Sequence, residues 1–305
     1  MRFVTYRRHG QEAVGCFQGG GIVALKKAAQ AFEDRLPRKL PPVEVAEWLG
    51  SLRSLVAAGE SGLEISRLLH AIPQAELMGV GAYWEMGEVE LCAPIPDPGK
   101  IVCMGQNYID HCLEQGVEPL DRPVIFAKFN NTVHPPEVPV RIPPGSSAVD
   151  FEAELAFVIG KRASGVPAEE ANAFIAGYMP FNDVTERSMQ RGDGQWVRGK
   201  SCDTFAPMGP WLTTPDEVGD PHDLGIQFRL NGEVMQDSRT SNLIFRIPQI
   251  VEFLTRSMTL EPGDVVTTGT PPGVGAFRKP PVYLKPGDLM EVEIEGLGVL
   301  RNAVV

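Results

Sequence analysis

Two glutamates, Glu152 and Glu154, stand two positions apart at the start of an apolar run that continues to residue 160. Because side chains alternate between the two faces of a strand, both carboxylates point the same way. The residues that follow are apolar on both faces, which predicts a buried strand. Like charges brought together out of water are costly unless a proton or a cation compensates them. Taken alone, the pair is better interpreted as a solvated strand end.

A third carboxylate, Asp183, comes at the end of another apolar run, where a strand would deliver it to the same pocket. Three carboxylates with open positions for water and substrate suit a hard divalent cation such as Mg²⁺ or Mn²⁺. They do not suit zinc or iron, for which the set offers no histidine or thiolate. The sequence therefore predicts a metal site at Glu152, Glu154 and Asp183.

A histidine and a glutamate three residues apart, His111 and Glu114, follow a predicted strand in a segment typical of the start of a helix. On a helix they share a face and can form a hydrogen bond. A carboxylate that holds one imidazole nitrogen leaves the other free to take a proton from water. Taken alone, a surface pair on a helix is the better interpretation.

Groups suited to an anionic substrate follow the third carboxylate. Arg187 and Gln190 come four and seven residues after Asp183, on one helical face, and Lys200 follows. The formal net charge of -11 repels an anion globally, so a site for one needs local cations, and arginine suits bidentate carboxylate binding. The loop over residues 267–275 offers hydroxyls and backbone N–H groups. Simpler interpretations are a structural Arg187–Asp183 ion pair, a solvated Lys200 and an ordinary turn.

The elements that must position these residues divide at a proline-rich segment, residues 93–99. Before it, strand-like runs and two helical patterns predict a small α+β domain over residues 1–95. The strands are expected at 2–6, 13–17 and 22–24, and the helices at 43–57 and 62–72. After it, residues 96–305 predict a mostly β domain of short strands, with helices at 167–176 and 248–258. Its Asn231-Gly232 pair is typical of a type I′ hairpin turn.

The composition restricts the class of protein. With 43% hydrophobic and 22% charged residues, the 305-residue chain can bury a full core. Its acidity argues against a nucleic-acid surface and gives no support for an anionic membrane surface. Five scattered cysteines without a CxxC pattern fit a reducing compartment, and no stretch of 18 apolar residues occurs. We therefore expect a cytoplasmic enzyme with no nucleic-acid or membrane partner.

Together these segments resemble the fumarylacetoacetate hydrolase (FAH) family over roughly residues 98–305, because six spaced motifs occur in the family's order. The motifs are residues 105–111 with Glu114, the Glu152/Glu154 strand, Asp183 with Arg187 and Gln190, Lys200 between Gly199 and Ser201, the Asn231-Gly232 hairpin, and Thr268-Gly269-Thr270-Pro271. Residues 273–281 are most similar to the domain-containing protein 2 branch of the family. Residues 185–189 read Thr-Glu-Arg-Ser-Met where relatives tend to have Ser-Ala-Arg-Asp-Trp. The resemblance therefore does not predict which side chains form the neighbouring pocket wall.

The resemblance implies an α+β, mostly β protein whose catalytic domain is a mixed β-roll, assembled as a homodimer. It implies that Mg²⁺ or Mn²⁺ is held by Glu152, Glu154 and Asp183. It also implies that His111 and Glu114 form an acid–base dyad on a mobile lid. It also implies that Lys200 is a catalytic residue and that Arg187, Gln190 and Thr270 surround the substrate.

The expected chemistry is that of a small 2-oxo acid reacting through a metal-stabilised enolate, with C–C hydrolysis of an acylpyruvate as the first prediction. Alternatives are keto–enol tautomerisation or decarboxylation of oxaloacetate, and isomerisation or decarboxylation in aromatic-acid catabolism. Hydrolysis needs water, tautomerisation needs only a proton shuttle, and decarboxylation needs the loss of CO₂. The residues of the pocket wall therefore decide among these reactions. A non-catalytic, metal-stabilised scaffold is least favoured, because every polar position of the constellation is filled.

Overall fold

The computed structural model describes residues 1–37 and 42–305. Up to residue 95 the elements are β1 (Arg2–Arg8), β2 (Gln11–Gln18), β3 (Gly21–Ala24), α1 (Leu25–Ala31), α2 (Pro42–Trp48), α3 (Leu52–Ala57), α4 (Gly59–His70), α5 (Gln74–Gly79), β4 (Tyr83–Glu85) and β5 (Glu90–Leu91). The three predicted strands and the second predicted helix are confirmed. The helix predicted over 43–57 is wrong as one element, because Ser51 accepts the N–H of Ser54 and starts α3 as a separate helix.

The remainder of the chain consists mainly of short strands, with a few short helices between them. In chain order these are β6 (Ile101–Gly105), α6 (Ile109–Gln115), β7 (Val124–Lys128), β8 (Val133–His134), β9 (Val149–Asp150), β10 (Ala153–Ile159), β11 (Ile175–Asn182), β12 (Thr185–Glu186), α7 (Arg187–Gly192), α8 (Val197–Lys200), β13 (Ala206–Pro207), β14 (Leu212–Thr213), α9 (Pro215–Val218), β15 (Gly225–Leu230), β16 (Glu233–Arg239), α10 (Ile247–Thr255), β17 (Val265–Thr267), β18 (Leu289–Ile294) and β19 (Gly298–Ala303). None of the helices in the described ranges is long and apolar enough to span a bilayer.

Two local predictions have different outcomes. The helix predicted over residues 167–176 is a 3₁₀ helix, Ala168–Phe174, which ends because β11 begins at the next residue. The hairpin turn is confirmed: Asn231 and Gly232 have φ angles of 54° and 84°, as a type I′ turn requires.

Eleven strands of the described chain form one mixed sheet, in the order β4-β3-β2-β1-β14-β11-β10-β17-β6-β7, with β5 against β1. Since β1 pairs with β14, the N-terminal strands extend the sheet that carries β10 and β11. A separate sheet, β16-β15-β18-β19, packs against β10 and β11. The division into two domains near residue 95 stays a prediction, because shared pairing does not show whether either part folds alone.

Strand β10 is buried on both faces, as its sequence predicts. On one face Leu155 and Phe157 belong to a core shared with the smaller sheet. On the other face Ala156 and Val158 belong to a core shared with the N-terminal elements. The start of β10, where the glutamates stand, is therefore fixed from both sides.

Candidate active site

The three carboxylates meet because β10 and β11 run antiparallel. In this register Ala153 lies opposite Asn182, and the N–H of Asp183 donates to the carbonyl oxygen of Glu152 at 2.9 Å. One oxygen from each of Glu152, Glu154 and Asp183 lies within 4.8 Å of the others, and all three residues are buried. The trio can therefore hold a divalent cation, whose identity the geometry leaves open.

Two buried lysines balance part of this negative charge. Lys200 Nζ donates to Glu152 Oε2 at 2.7 Å and also to Asp183 Oδ2. Lys128 Nζ donates to Asp183 Oδ1 at 2.6 Å. Burial works to lower the pKa of Lys200, but Asp183 and Glu152 more than offset it, so that pKa is raised and the ammonium stays charged.

Glu154 is the member of the trio that makes no ion pair with any described residue. Burial, together with repulsion from Asp183 and Glu152, raises the pKa of Glu154 well above its ordinary value. At Glu152 burial acts the same way, but Lys200 and Arg187 outweigh it and the pKa is lowered. A divalent cation would compensate the charge of an ionised Glu154, so the donor set fits such a cation.

His111 and Glu114 lie on α6, which follows β6 after a three-residue turn. His111 Nδ1 is 2.8 Å from Glu114 Oε2, and Glu114 Oε1 accepts the N–H of Gly273 at 2.9 Å. Burial would raise the pKa of Glu114, but these two hydrogen bonds lower it overall. The ring of His111 meets that of Phe277 edge-on, with centroids 5.6 Å apart. Glu114 thus orients His111 and joins α6 to the loop after β17.

One cavity of about 360 Å³ brings the predicted site residues together, and all of them except Glu114 and Asp183 line it. Glu114 contacts His111, and Asp183 contacts Lys200, so both are joined to the cavity wall through a lining residue. Its other walls include Phe126, Trp196, Phe277, Gln106, Gln115 and Arg191. A larger cavity, of about 710 Å³, lies against α1 and α2 and contains none of the predicted residues. Converging polar groups, rather than size, identify the smaller cavity as the candidate site.

Asp150 is a buried residue of this network that the sequence analysis missed. It accepts hydrogen bonds from Arg187 Nε at 2.8 Å and from the N–H groups of Gly275 at 2.8 Å and Ala276 at 3.0 Å. Asp150 and the two glutamates occupy alternate positions before and into β10, so the same periodicity could have indicated it. The simpler interpretation of an Arg187–Asp183 pair is replaced by contacts with Asp150 and Glu152, whose oxygens lie 2.7 and 2.6 Å from Arg187 Nη2.

Gln236 and Lys128 were also missed. Gln236, on β16, donates from Nε2 to Thr270 Oγ1 at 2.8 Å and accepts the N–H of Ala153 at 2.9 Å, so it ties the start of β10 to the loop after β17. A lysine at a strand end is ordinarily solvated, and a glutamine in a hairpin strand carries no local pattern. The one indication of a group such as Lys128 is general: buried carboxylates require a nearby cation.

Replacing Asp150 by Asn is expected to lower the free energy of unfolding by about 3 kcal/mol, because buried Arg187 loses one of its two carboxylate partners and breaking a buried ion pair is strongly destabilising. The amide keeps the size of the side chain but removes the charge beside Arg187. Urea denaturation of the metal-free protein measures the change. Asp193→Asn, which disturbs the exposed Asp193–Arg198 pair, is the matched control and should have a much smaller effect. Equal effects of the two substitutions would contradict this account of Asp150.

Residues 100–305 match the family model described as Fumarylacetoacetate (FAA) hydrolase C-terminal. The chain belongs to the fumarylacetoacetate hydrolase family. The matched region contains every predicted site residue, together with Lys128, Asp150 and Gln236. The resemblance drawn from the spaced motifs is therefore confirmed.

Whole-chain comparisons extend this finding beyond the matched region. The mitochondrial oxaloacetate tautomerase of Xenopus laevis is 42% identical over 289 residues, which cover 94% of this chain and 83% of that protein. The fumarylacetoacetate hydrolase of Exiguobacterium antarcticum has a TM-score of 0.82 at 31% identity, covering 100% of this chain and 99% of that one. A 5-carboxymethyl-2-hydroxymuconate delta-isomerase of Mycobacterium smegmatis has a TM-score of 0.74 at 33% identity, covering 100% and 98%. The predicted FAH-type α+β fold is confirmed for this chain. The prediction that this chain is an enzyme is also confirmed.

The predicted cytoplasmic location is contradicted, because vertebrate relatives of this FAH chain are named as mitochondrial proteins. Unpaired cysteines report the redox state of a compartment rather than its identity, so the sequence did not support a specific location. The expected homodimer and the absence of a nucleic-acid partner stay predictions.

Proposed function

We propose that this FAH-family enzyme catalyses the metal-dependent keto–enol tautomerisation of oxaloacetate or of a closely similar 2-oxo acid. The observation that carries the proposal is that His111, held by Glu114, lines the same cavity as the trio, whose Glu154 forms no ion pair with a described residue. Tautomerisation requires stabilisation of negative charge on the 2-oxo oxygen and transfer of a proton between oxygen and C3. The relative named as an oxaloacetate tautomerase, similar over 94% of the chain, favours this reaction over hydrolysis.

Glu152, Glu154 and Asp183 would hold the cation, Mg²⁺ or Mn²⁺. When bound, it would supply a Lewis acid that polarises the 2-oxo group. Lys200 remains charged beside the trio and would further stabilise negative charge that develops on that oxygen. Its two carboxylate contacts fix the ammonium in place, so little reorganisation is required during the reaction.

His111 would carry the proton. Glu114 holds Nδ1, which leaves Nε2 to give a proton to C3 of the enol and to recover one from the enol hydroxyl. The ionised Glu114 holds the ring through Nδ1, and the contact with Phe277 limits rotation of the ring. Because the reaction adds no water, His111 needs only to alternate between its protonated and neutral forms.

Gln190 and Thr270 would surround the substrate. Arg187 Nη1 donates to Gln190 Oε1 at 3.0 Å, so the amide N–H₂ of Gln190 is left as a donor toward an anion. Thr270 Oγ1 accepts from Gln236, so its own O–H is left to donate. Arg187 lines the cavity but already contacts two carboxylates, and we propose that its part in binding is to orient Gln190 and add positive charge.

C–C hydrolysis of an acylpyruvate remains the second candidate, since the E. antarcticum relative is named as a hydrolase and His111 could equally activate water. The two are separated by supplying enol-oxaloacetate and an acylpyruvate in parallel, with Mg²⁺ or with a chelator. Enol absorbance and pyruvate release are followed separately, with the uncatalysed rates subtracted. Metal-dependent enol loss without pyruvate supports the tautomerase. Pyruvate from the acylpyruvate would indicate hydrolysis, and pyruvate from oxaloacetate would indicate decarboxylation.

A further inference from the structure

Arg191 stands at the rim of the active-site cavity and has no role in the chemistry described above. It lines the cavity beside Gly194 and Trp196, and its side chain is exposed. It makes no ion pair or hydrogen bond with any residue in the described ranges. Arg191 is therefore a cation at the cavity that is free to meet an anion from solution.

In the described part of the chain, two other side chains bring a permanent positive charge to the cavity wall, and both are already engaged. Lys200 contacts Glu152 and Asp183, and Arg187 contacts Asp150 and Glu152. A second negative group on a substrate would thus find no uncompensated cation among the described residues of the buried floor. In a chain with a formal net charge of -11, such a group needs a local cation.

Helix α7 places Arg191 in line with the floor of the cavity. Arg187, Gln190 and Arg191 stand at positions i, i+3 and i+4 and therefore share one helical face, and all three line the cavity. Arg187 is buried, Gln190 is half-buried and Arg191 is exposed, so the face runs from floor to rim. Four residues of helix rise about 6 Å, which is comparable to the length of a four-carbon diacid.

We propose that Arg191 binds the substrate carboxylate distal to the 2-oxo group and thereby selects 2-oxo dicarboxylates over 2-oxo monocarboxylates. The inference rests on the proposed function, because it assumes that the 2-oxo end lies at the trio. The planar guanidinium matches a carboxylate with two parallel N–H donors. The exposed position of Arg191 makes it a specificity-determining residue at the entrance rather than a participant in proton transfer.

The test compares Arg191→Gln and Arg191→Lys with wild type on the enol forms of oxaloacetate and phenylpyruvate, a dicarboxylate and a monocarboxylate. For Arg191→Gln the ratio of kcat/KM values, oxaloacetate over phenylpyruvate, should fall about tenfold, mainly through KM, as expected for one exposed charge-assisted contact. Arg191→Lys should keep part of the ratio, because it retains charge without the bidentate geometry. Arg256→Gln, which removes an exposed arginine paired with Glu252 away from the cavity, should leave the ratio unchanged.

An unchanged ratio in Arg191→Gln would overturn the inference, and so would an equal fall in Arg256→Gln, which would indicate general electrostatic steering. If wild type accelerates neither enol, the proposed tautomerase function fails separately. The role of Arg191 is then decided by calorimetric binding of oxaloacetate and phenylpyruvate to the Mg²⁺-loaded proteins. Weaker binding of oxaloacetate alone in Arg191→Gln supports the inference, and equally weakened binding of both ligands overturns it.

Discussion

Replacing Glu154 by Gln is expected to lower kcat/KM for enol-oxaloacetate about a thousandfold, because Lewis-acid stabilisation contributes several kcal/mol and each 1.4 kcal/mol is about tenfold in rate. The amide keeps the shape of the side chain and can still accept the N–H of Gly269. It removes the one carboxylate of the trio without a cationic partner in the described structure. Since burial and the neighbouring carboxylates already disfavour ionised Glu154, the metal-free variant should be at least as stable as wild type.

Calorimetric titration with Mg²⁺ and Mn²⁺, together with urea denaturation, measures both sides of this expectation. The matched control is Glu186→Gln, which changes another buried carboxylate nearby. Glu186 accepts hydrogen bonds from Ser188 and Met189 at the start of α7 and lies outside the trio. Its substitution should lower stability and leave metal affinity within a few-fold of wild type. Full metal-dependent activity in Glu154→Gln would show that the trio is not the metal site.

Replacing His111 by Asn is expected to lower kcat by about 10²- to 10⁴-fold, the usual contribution of a positioned acid–base group. The asparagine can still form hydrogen bonds but cannot carry a proton between the substrate oxygen and C3. Because His111 lies outside the carboxylate trio, Mg²⁺ affinity and the stability of the fold should change little. Stopped-flow measurement of enol loss, with enough Mg²⁺ to saturate both proteins, gives the comparison.

Glu114→Gln separates the two functions assigned to Glu114. Its amide oxygen can still accept the N–H of Gly273, so the link between α6 and the loop after β17 is kept. The negative charge beside Nδ1 of His111 is lost while the imidazole itself is kept, so the fall in kcat should be smaller than in His111→Asn. A kcat for His111→Asn within threefold of wild type would exclude proton transfer through this residue.

Much of the site could be predicted because its signals are local. Alternation along a strand places Glu152 and Glu154 on one side, and the apolar residues that follow predict their burial. The spacing of His111 and Glu114 on one helical face predicts their hydrogen bond, which the structure contains. The same alternation includes Asp150, but alternation alone does not distinguish a carboxylate of the trio from one that binds an arginine.

What the sequence could not provide depends on contacts between distant segments. Lys128 reaches Asp183 across 55 positions of sequence, and Gln236 reaches Ala153 across 83. Neither contact follows from helical or strand periodicity, because the register and packing of several strands decide which side chains meet. The substrate is similarly hidden, since it depends on wall residues such as Arg191, on the short helix α7, and Trp196, which directly precedes α8.

The most direct test of the central claim is a Mg²⁺ titration of enol-oxaloacetate loss, starting from chelator-treated protein, alongside a calorimetric Mg²⁺ binding isotherm. The account predicts negligible catalysed enol loss in chelator, a rate that rises with Mg²⁺ and saturates with the binding isotherm, and no release of pyruvate. Enol loss at the full catalysed rate in chelator, or a rate that does not follow occupancy of the site, would contradict it.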